Sequence, residues 1–174
     1  VLDVFQAQPL MVSLHSDAND VSISIQGEHG ETLLDAAAHR SSWQGNLNQT
    51  GNYYLTVHGG ASTENFTLVV KLPLPLRFAQ GTDSLTINGR TVAGYEVSYA
   101  VHAARGQAMD VDIESLSGKG SLAVYGFQDA QQYLQAGAGQ RQFHMTLPAT
   151  QDYIVSVVPF DGLVLDYIVT ITIR

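Results

Sequence analysis

The stretch that decides the fold is Leu47-Asn-Gln-Thr-Gly-Asn-Tyr-Tyr-Leu-Thr-Val57, because the chain contains a second version of it. It matches Leu147-Pro-Ala-Thr-Gln-Asp-Tyr-Ile-Val-Ser-Val157 without a gap, and Trp43 falls opposite Phe143 at the same offset. In both versions a cluster of turn-forming residues separates apolar residues that alternate with polar ones, which is the period of a half-buried strand. The block therefore predicts a strand, a turn and a second strand in each copy.

Two further matches keep the same order along the chain. Ser22–Gly27 aligns with Ser121–Gly126 upstream, and Phe66–Val70 aligns with Tyr167–Ile171 downstream. Four elements at nearly constant spacing indicate an internal repeat with a period of about 100 residues. The sequence predicts an all-β fold of two tandem antiparallel β-sandwich modules with jelly-roll or Greek-key-like topology. Helical periodicity is weak, and only residues 32–40 and 129–135 have room for a turn or two of helix.

The predicted modules cover residues 1–72 and 77–174. Residues 73–76 lie between them in the run Leu72-Pro-Leu-Pro-Leu76, whose prolines favour an extended, stiff spacer. Residues 78–96 precede the first aligned strand of the second module, and the first module has no counterpart to them.

A sheet that lacks a strand exposes unpaired backbone N–H and C=O groups. We therefore expect either that the chain is a piece cut at that point or that another chain supplies the strand. Val1 is not a methionine, and no signal-like segment precedes it, so we also expect a piece of a longer precursor.

Composition excludes several classes of function. Charged residues make up 14% of the chain, well below the usual quarter, while apolar residues make up 45%. The surface must then be polar mainly through uncharged side chains, as in many exported β proteins. A net charge of −8 argues against nucleic-acid binding. The absence of cysteine excludes disulfides, thiolate metal sites and thiol catalysis, and no apolar run reaches the roughly 18 to 20 residues that would span a bilayer.

The second copy resembles the bacterial pre-peptidase C-terminal (PPC) domain family. The matching segments are Arg77–Gly81, Tyr99-Ala-Val-His-Ala103, Arg105-Gly-Gln107, Leu122-Ala-Val-Tyr-Gly126, Phe143–Tyr153 and Tyr167–Ile171. The first copy departs from the pattern, because Gln8-Pro9 stands where the Gly-Gln turn would be. The resemblance implies a β-sandwich module of the kind appended to secreted enzymes and surface proteins, and some related sandwiches inhibit lysozymes. It implies no single activity.

Tyr53 and Tyr153 hold the same place in the repeated block, directly after its turn. A tyrosine at such a corner can bury its ring while its hydroxyl binds the backbone of the turn, as in the tyrosine corner of Greek-key sandwiches. We predict this role for both residues.

Two groups of acidic residues are candidate calcium ligands, since calcium prefers oxygen. Asp110, Asp112 and Glu114 share one face of a predicted strand, where a plain solvent-facing surface is the favoured interpretation. Asp17, Asn19 and Asp20 form an oxygen-rich turn without the spacing of a calcium loop, which favours an ordinary Asx turn.

The histidines form no known metal or catalytic motif. They are His15, His29, His39, His58, His102 and His144, and no HxxxH or HExxH pattern joins any two of them. His15, His58, His102 and His144 lie in strand patterns and would have to meet in space to form a site. Gly118-Lys-Gly120 and Gly137-Ala-Gly139 complete no phosphate-binding motif and are predicted as turns. No catalytic, cofactor-binding or metal-binding residue is predicted.

The aromatic residues divide into core and surface candidates. Trp43 could stack on a sugar, but its alternation and its partner Phe143 favour the core. The candidates for an exposed aromatic surface are Tyr125, Phe127, Tyr133 and Phe160. Gln128–Gln142 is the longest irregular segment and would be the plug if the protein inhibited an enzyme.

The favoured function is a non-catalytic binding or structural module of an exported bacterial protein, extracellular or periplasmic, that engages a protein or polysaccharide partner at the cell surface. One alternative is an inhibitor of a secreted hydrolase such as a lysozyme or peptidase. Another is a subunit of a surface assembly, completed by strand addition or by homo-oligomers that form through the open sheet edge. No enzymatic activity, cofactor or membrane span is expected.

Overall fold

A computed structural model describes residues 1–17, 20–60, 63, 65–115, 117–160 and 162–174. The chain divides into two compact units, Val1–Leu72 (unit 1) and Pro73–Arg174 (unit 2). The described elements are strands apart from two short 3₁₀ helices, Ala36–Ala38 and Ala136–Ala138, which confirms the all-β prediction. The first 3₁₀ helix falls inside residues 32–40, whereas the second lies just beyond 129–135.

The strands of unit 1 are β1 (Leu2–Val4), β2 (Pro9–Ser16), β3 (Ser22–Gly27), β4 (Thr32–Leu34), β5 (Ser42–Asn46), β6 (Gly51–His58) and β7 (Phe66–Lys71). Those of unit 2 are β8 (Leu74–Pro75), β9 (Ser84–Arg90), β10 (Val97–Ala103), β11 (Ala108–Ser115), β12 (Gly120–Gly126), β13 (Gln132–Leu134), β14 (Gln142–Thr146), β15 (Gln151–Pro159) and β16 (Asp166–Ile173).

Unit 1 consists of two sheets with the strand orders β1-β6-β3-β4 and β5-β2-β7. The neighbouring strands in both sheets are antiparallel. Residues from both sheets form one core, in which Ile23, Ile25 and Tyr53 of the first sheet join Leu10 and Val12 of the second. Unit 1 is therefore a β-sandwich.

Unit 2 repeats this strand order and adds one strand to each sheet. Its sheets run β13-β12-β15-β10-β8 and β14-β11-β16-β9, so that β10 to β16 correspond to β1 to β7. The added strands, β8 and β9, each lie at an end of a sheet. Leu74 and Pro75 belong to the segment predicted as a spacer, and here they pair in parallel with Tyr99 and Ala100 of unit 2.

The alternation of apolar and polar residues along β11 shows which face of this strand is buried in unit 2. Met109, Val111 and Ile113 are buried in the core, whereas Asp110 and Asp112 alternate with them on the opposite face of β11. Since successive side chains of a strand point to opposite faces, this alternation fixes which face of the sheet packs inward.

Tyrosine corners occur in both units, as predicted. The ring of Tyr153 is 0% exposed, and its hydroxyl donates to the Ala149 carbonyl at 2.8 Å. The Tyr53 ring is also buried, and its hydroxyl accepts from the Gln49 N–H at 3.2 Å and lies 3.4 Å from the Gln49 carbonyl. Burial raises the pKa of Tyr53. Both hydroxyls thus hold the turn that precedes them.

Candidate functional site

Of the three carboxylates on β11, two contact neighbouring side chains on the surface and the third is exposed. Nδ1 of His144 lies 2.5 Å from Oδ1 of Asp110, and the Gln142 side-chain amide donates to Asp112 at 2.7 Å. Glu114 is exposed. In the part of the chain that the structure describes, no group of three or more His, Asp or Glu side chains is arranged to hold a metal ion.

These carboxylates belong to a continuous polar face of unit 2. Two rows of side chains in register cross strands β14, β11, β16 and β9, the first formed by His144, Asp110, Thr172 and Ser84 and the second by Gln142, Asp112, Thr170 and Thr86. On the other side of the face, hydroxyl contacts of 3.0 Å in the first row and 3.1 Å in the second join β16 to β9. The pattern supports the solvent-facing interpretation of β11, because the polar groups already bind one another.

Within each unit, the two histidines in strands do not share a site. In unit 1, His15 and His58 lie in different sheets, and in unit 2 the same is true of His102 and His144. His58 Nε2 is 2.9 Å from the Ser24 hydroxyl, and His102 Nδ1 is 3.0 Å from the Asp152 carboxylate. These contacts join neighbouring strands.

The remaining histidines lie in loops. His29 is near the Glu28 carboxylate, at 3.6 Å. His39 ends the first 3₁₀ helix in the left-handed conformation, with a φ of 48°.

The candidate loops have structural roles where the structure describes them. Gly118 and Gly139 have positive φ values of 66° and 68°, so their conformations suit glycine in a turn. Gly120 begins β12 at a point where a side chain would meet Leu165. Asn19 lies outside the described residues, so the prediction of an ordinary Asx turn rather than a calcium site at residues 17–20 stays a prediction.

Trp43 and Phe143 are core residues, as their alternation predicted. Each is half-buried and packs against the core of its own unit. The prediction that Phe127 is exposed is wrong, since it is only 4% exposed. Its N–H donates to the Asp152 carbonyl at 2.9 Å, which continues the pairing beyond β12. Tyr125, Tyr133 and Phe160 are half-buried rather than fully exposed.

The sequence predicted that Gln128–Gln142 is irregular, which is wrong for part of the segment, and its role as a plug stays a prediction. The segment contains β13 and the second 3₁₀ helix, and Asp129 fixes its first turn. The Asp129 carboxylate accepts hydrogen bonds from the Tyr133 hydroxyl at 2.5 Å, the Gln131 N–H at 3.0 Å and the Gln151 amide at 2.7 Å. Burial acts to raise the pKa of Asp129, but these hydrogen bonds outweigh it and lower the pKa. Burial and the neighbouring carboxylate raise the pKa of Tyr133 to about 12.

Exposed apolar side chains that the sequence patterns did not single out lie on two loops of unit 2. Val92 and Tyr95 precede β10 and are 68% and 71% exposed, and Leu163 and Val164 precede β16 and are 40% and 45% exposed. We call these four residues the apolar loop end.

The two loops of the apolar loop end are joined at their base. The N–H of Thr91 donates to the Leu165 carbonyl and the N–H of Leu165 donates to the Thr91 hydroxyl, both at 2.9 Å. Thr91 and Leu165 are themselves buried. Exposed apolar side chains that are grouped on a surface are a feature of protein-binding sites. A signal for these exposed residues was present in the sequence, because they are apolar residues in turn-rich segments and do not continue the alternation of a strand.

None of the described helices is long and apolar enough to cross a membrane. No family model matches the sequence, and no curated protein is significantly similar to it. The resemblance to the PPC family therefore stays a prediction.

Among solved structures, the chain is similar to PliG of Aeromonas hydrophila, a periplasmic lysozyme inhibitor of g-type lysozyme. The TM-score is 0.51 at 22% identity, over 59% of this chain and 96% of that chain. PliG of Salmonella Typhimurium, also a periplasmic inhibitor of g-type lysozyme, gives a TM-score of 0.45 at 22% identity, over 59% of this chain and 97% of that chain. At this identity, the similarity to the Aeromonas protein shows a shared β fold.

Proposed function

We propose that this chain is a non-catalytic protein of the periplasm or cell exterior that binds and inhibits a secreted hydrolase of the lysozyme class. The observation that carries the proposal is the fold similarity to the Aeromonas inhibitor, which extends over 96% of that protein. An inhibitor needs a surface that fits an enzyme and needs no catalytic group of its own.

The apolar loop end is the proposed contact surface. A few side chains that become desolvated at the centre of an interface, often tyrosine or tryptophan, contribute most of its binding energy. Tyr95 supplies a large exposed ring on a loop whose base is buried. The net charge of −8 would accelerate association with a basic enzyme, and added salt would slow it.

The test titrates the purified chain into a g-type lysozyme and follows the loss of turbidity of a bacterial cell-wall suspension. With the enzyme concentration well above the Kd, lytic activity should fall linearly and reach its minimum at a fixed molar ratio. Undiminished lysis without complex formation would contradict the proposal. Complex formation without loss of lysis would instead support a binding module that does not inhibit.

Tyr95→Ala tests the surface. Truncation of an interface anchor costs about 2 kcal/mol or more, so the inhibition constant should rise by about 30-fold. Tyr54→Ala is the matched control, because Tyr54 is an exposed tyrosine, 46% accessible, on β6 of unit 1. Equal inhibition by both variants would exclude the apolar loop end as the contact.

A further inference from the structure

The outer face of the sheet β14-β11-β16-β9 in unit 2 carries a groove. Three depressions with volumes of about 630, 430 and 400 Å³ lie along this face. Glu114 and Arg141 line both the first and the second, and Asp112 and Gln142 line both the second and the third. The shared walls join the depressions into one open groove. It includes β11 from Asp110 to Glu114, a length of about 13 Å at the rise of a strand.

A third row of side chains crosses the groove next to the two polar rows. Glu114 lies opposite Ile168, and Ile168 lies opposite Asn88. All three residues are exposed, Ile168 by 40%. Among the described residues, neither the Glu114 carboxylate nor the Asn88 amide has a hydrogen-bond partner. The third row therefore differs from the first two, because it offers unbound polar groups on both sides of an exposed aliphatic side chain.

Arg141 supplies a fixed hydrogen-bond donor in the same groove. Its Nη2 donates to the Ile113 carbonyl at 3.0 Å, which holds the side chain in place and leaves other N–H groups of the guanidinium available. Asp112 accepts from the Gln142 amide, but a carboxylate has sites for further hydrogen bonds. The groove thus presents acceptors and donors side by side, on side chains that the sheet already holds in position.

Unit 1 forms the corresponding sheet without the carboxylates of β11. Val12 pairs with Trp43 as Val111 pairs with Phe143, so β2 and β11 align without ambiguity. The residues of β2 that align with Asp110, Asp112 and Glu114 are Met11, Ser13 and His15. Pairing and packing of this strand therefore do not require the carboxylates, which leaves them available to bind a ligand.

The chemistry of the groove suits a sugar. Each sugar hydroxyl can both donate and accept a hydrogen bond, so a saccharide can use carboxylates, an amide and a guanidinium that lie next to one another. The C–H groups of a sugar ring can pack on Ile168. An anionic ligand would be repelled, because the carboxylates that line the groove outnumber Arg141. An extended peptide would gain little, since strand addition needs a sheet edge and the groove lies on a sheet face.

We propose that the groove of unit 2 binds an uncharged oligosaccharide. Its hydroxyls would bind the side chains of Asp112, Glu114 and Arg141, and one of its rings would pack on Ile168. The site shares no residue with the apolar loop end and does not depend on the hydrolase-inhibitor function.

The test applies the fluorescently labelled full chain to an array of uncharged and anionic oligosaccharides, with and without N-acetyl groups. The expected result is saturable retention by uncharged oligosaccharides. Titration of the best-retained one, followed by amide NMR, should then shift signals at residues 110–114 and 168–172 and leave those of unit 1 in place. A lack of retention, retention by anionic oligosaccharides alone, or shifts confined to other residues would overturn the proposal.

Glu114→Ala removes the unbound carboxylate of the third row. It should raise the Kd for the oligosaccharide about ten-fold or more, because hydrogen bonds to charged groups are the strong ones. Asp3→Ala is the matched control, since it removes an exposed carboxylate from β1 of unit 1 and should leave the Kd unchanged. Thermal unfolding of both variants checks that they are folded. Equal affinity of the two variants would overturn the proposal.

The binding assay contains no enzyme, so its outcome is separate from that of the inhibition assay. If no oligosaccharide bound but Glu114→Ala weakened inhibition of the lysozyme, the groove would belong to a protein interface. That result would overturn the saccharide proposal and leave the proposed function standing.

Discussion

Tyr153→Phe isolates one hydrogen bond in the corner of unit 2. The ring is 0% exposed and stays in place in the variant, so the change removes only the hydroxyl that donates to the Ala149 carbonyl at 2.8 Å. A net intramolecular hydrogen bond contributes about 1 kcal/mol to stability. For a domain of around 100 residues, a loss of this size lowers Tm by about 4 °C.

Thermal unfolding followed by circular dichroism measures the effect of Tyr153→Phe. Tyr95→Phe is the control, because Tyr95 is 71% exposed and its change should stay within about 0.5 kcal/mol. Tyr53→Phe should cost less than Tyr153→Phe, since the contacts of Tyr53 with Gln49 are longer, at 3.2 and 3.4 Å. If Tyr153→Phe lowered Tm no more than the control, the corner hydroxyl would have no stabilising role and the reasoning would be refuted.

Gly89→Ala should destabilise unit 2 by about 1–3 kcal/mol in urea unfolding, because the new methyl group meets the ring of Tyr167. That ring cannot move away without losing its 2.6 Å hydrogen bond to Tyr99, whereas Gly137→Ala enters open space and should change little. Asp129→Asn tests the turn after β12, where hydrogen bonds lower the carboxyl pKa in the folded state. The stabilisation is then present above the unfolded-state pKa of about 4 and is lost as the pH falls through the lowered folded-state pKa, so the difference in unfolding free energy from wild type should shrink as the pH falls below about 4. A difference independent of pH would contradict this assignment.

The parts of the fold that depend on local pattern could be predicted from the sequence. Alternation along residues 109–114 determines which side of β11 is buried, and the repeated block places Tyr53 and Tyr153 after equivalent turns. In both cases the information lies within about ten residues, where the period of a strand and the chemistry of a turn act directly.

The surface features depend on contacts between distant residues, and local pattern did not reveal them. The base of the apolar loop end joins Thr91 to Leu165, which are 74 positions apart. The turn at Asp129 is fixed by Gln151, 22 positions away, so a segment that looks irregular in sequence is ordered in the fold. Residue identity alone likewise did not reveal that Tyr95 is exposed and Phe127 buried.

Phe66 and Tyr167 illustrate the same point within one chain. They occupy aligned positions on corresponding strands, and both have an antiparallel inner neighbour in the same register. Tyr167 is nevertheless buried, and burial together with the Tyr99 hydroxyl raises its pKa, whereas half of Phe66 is exposed. Because the local pattern is shared, the difference comes from tertiary neighbours that Tyr167 has and Phe66 lacks, among them β9 on the outer side of β16 and the Tyr99 hydroxyl.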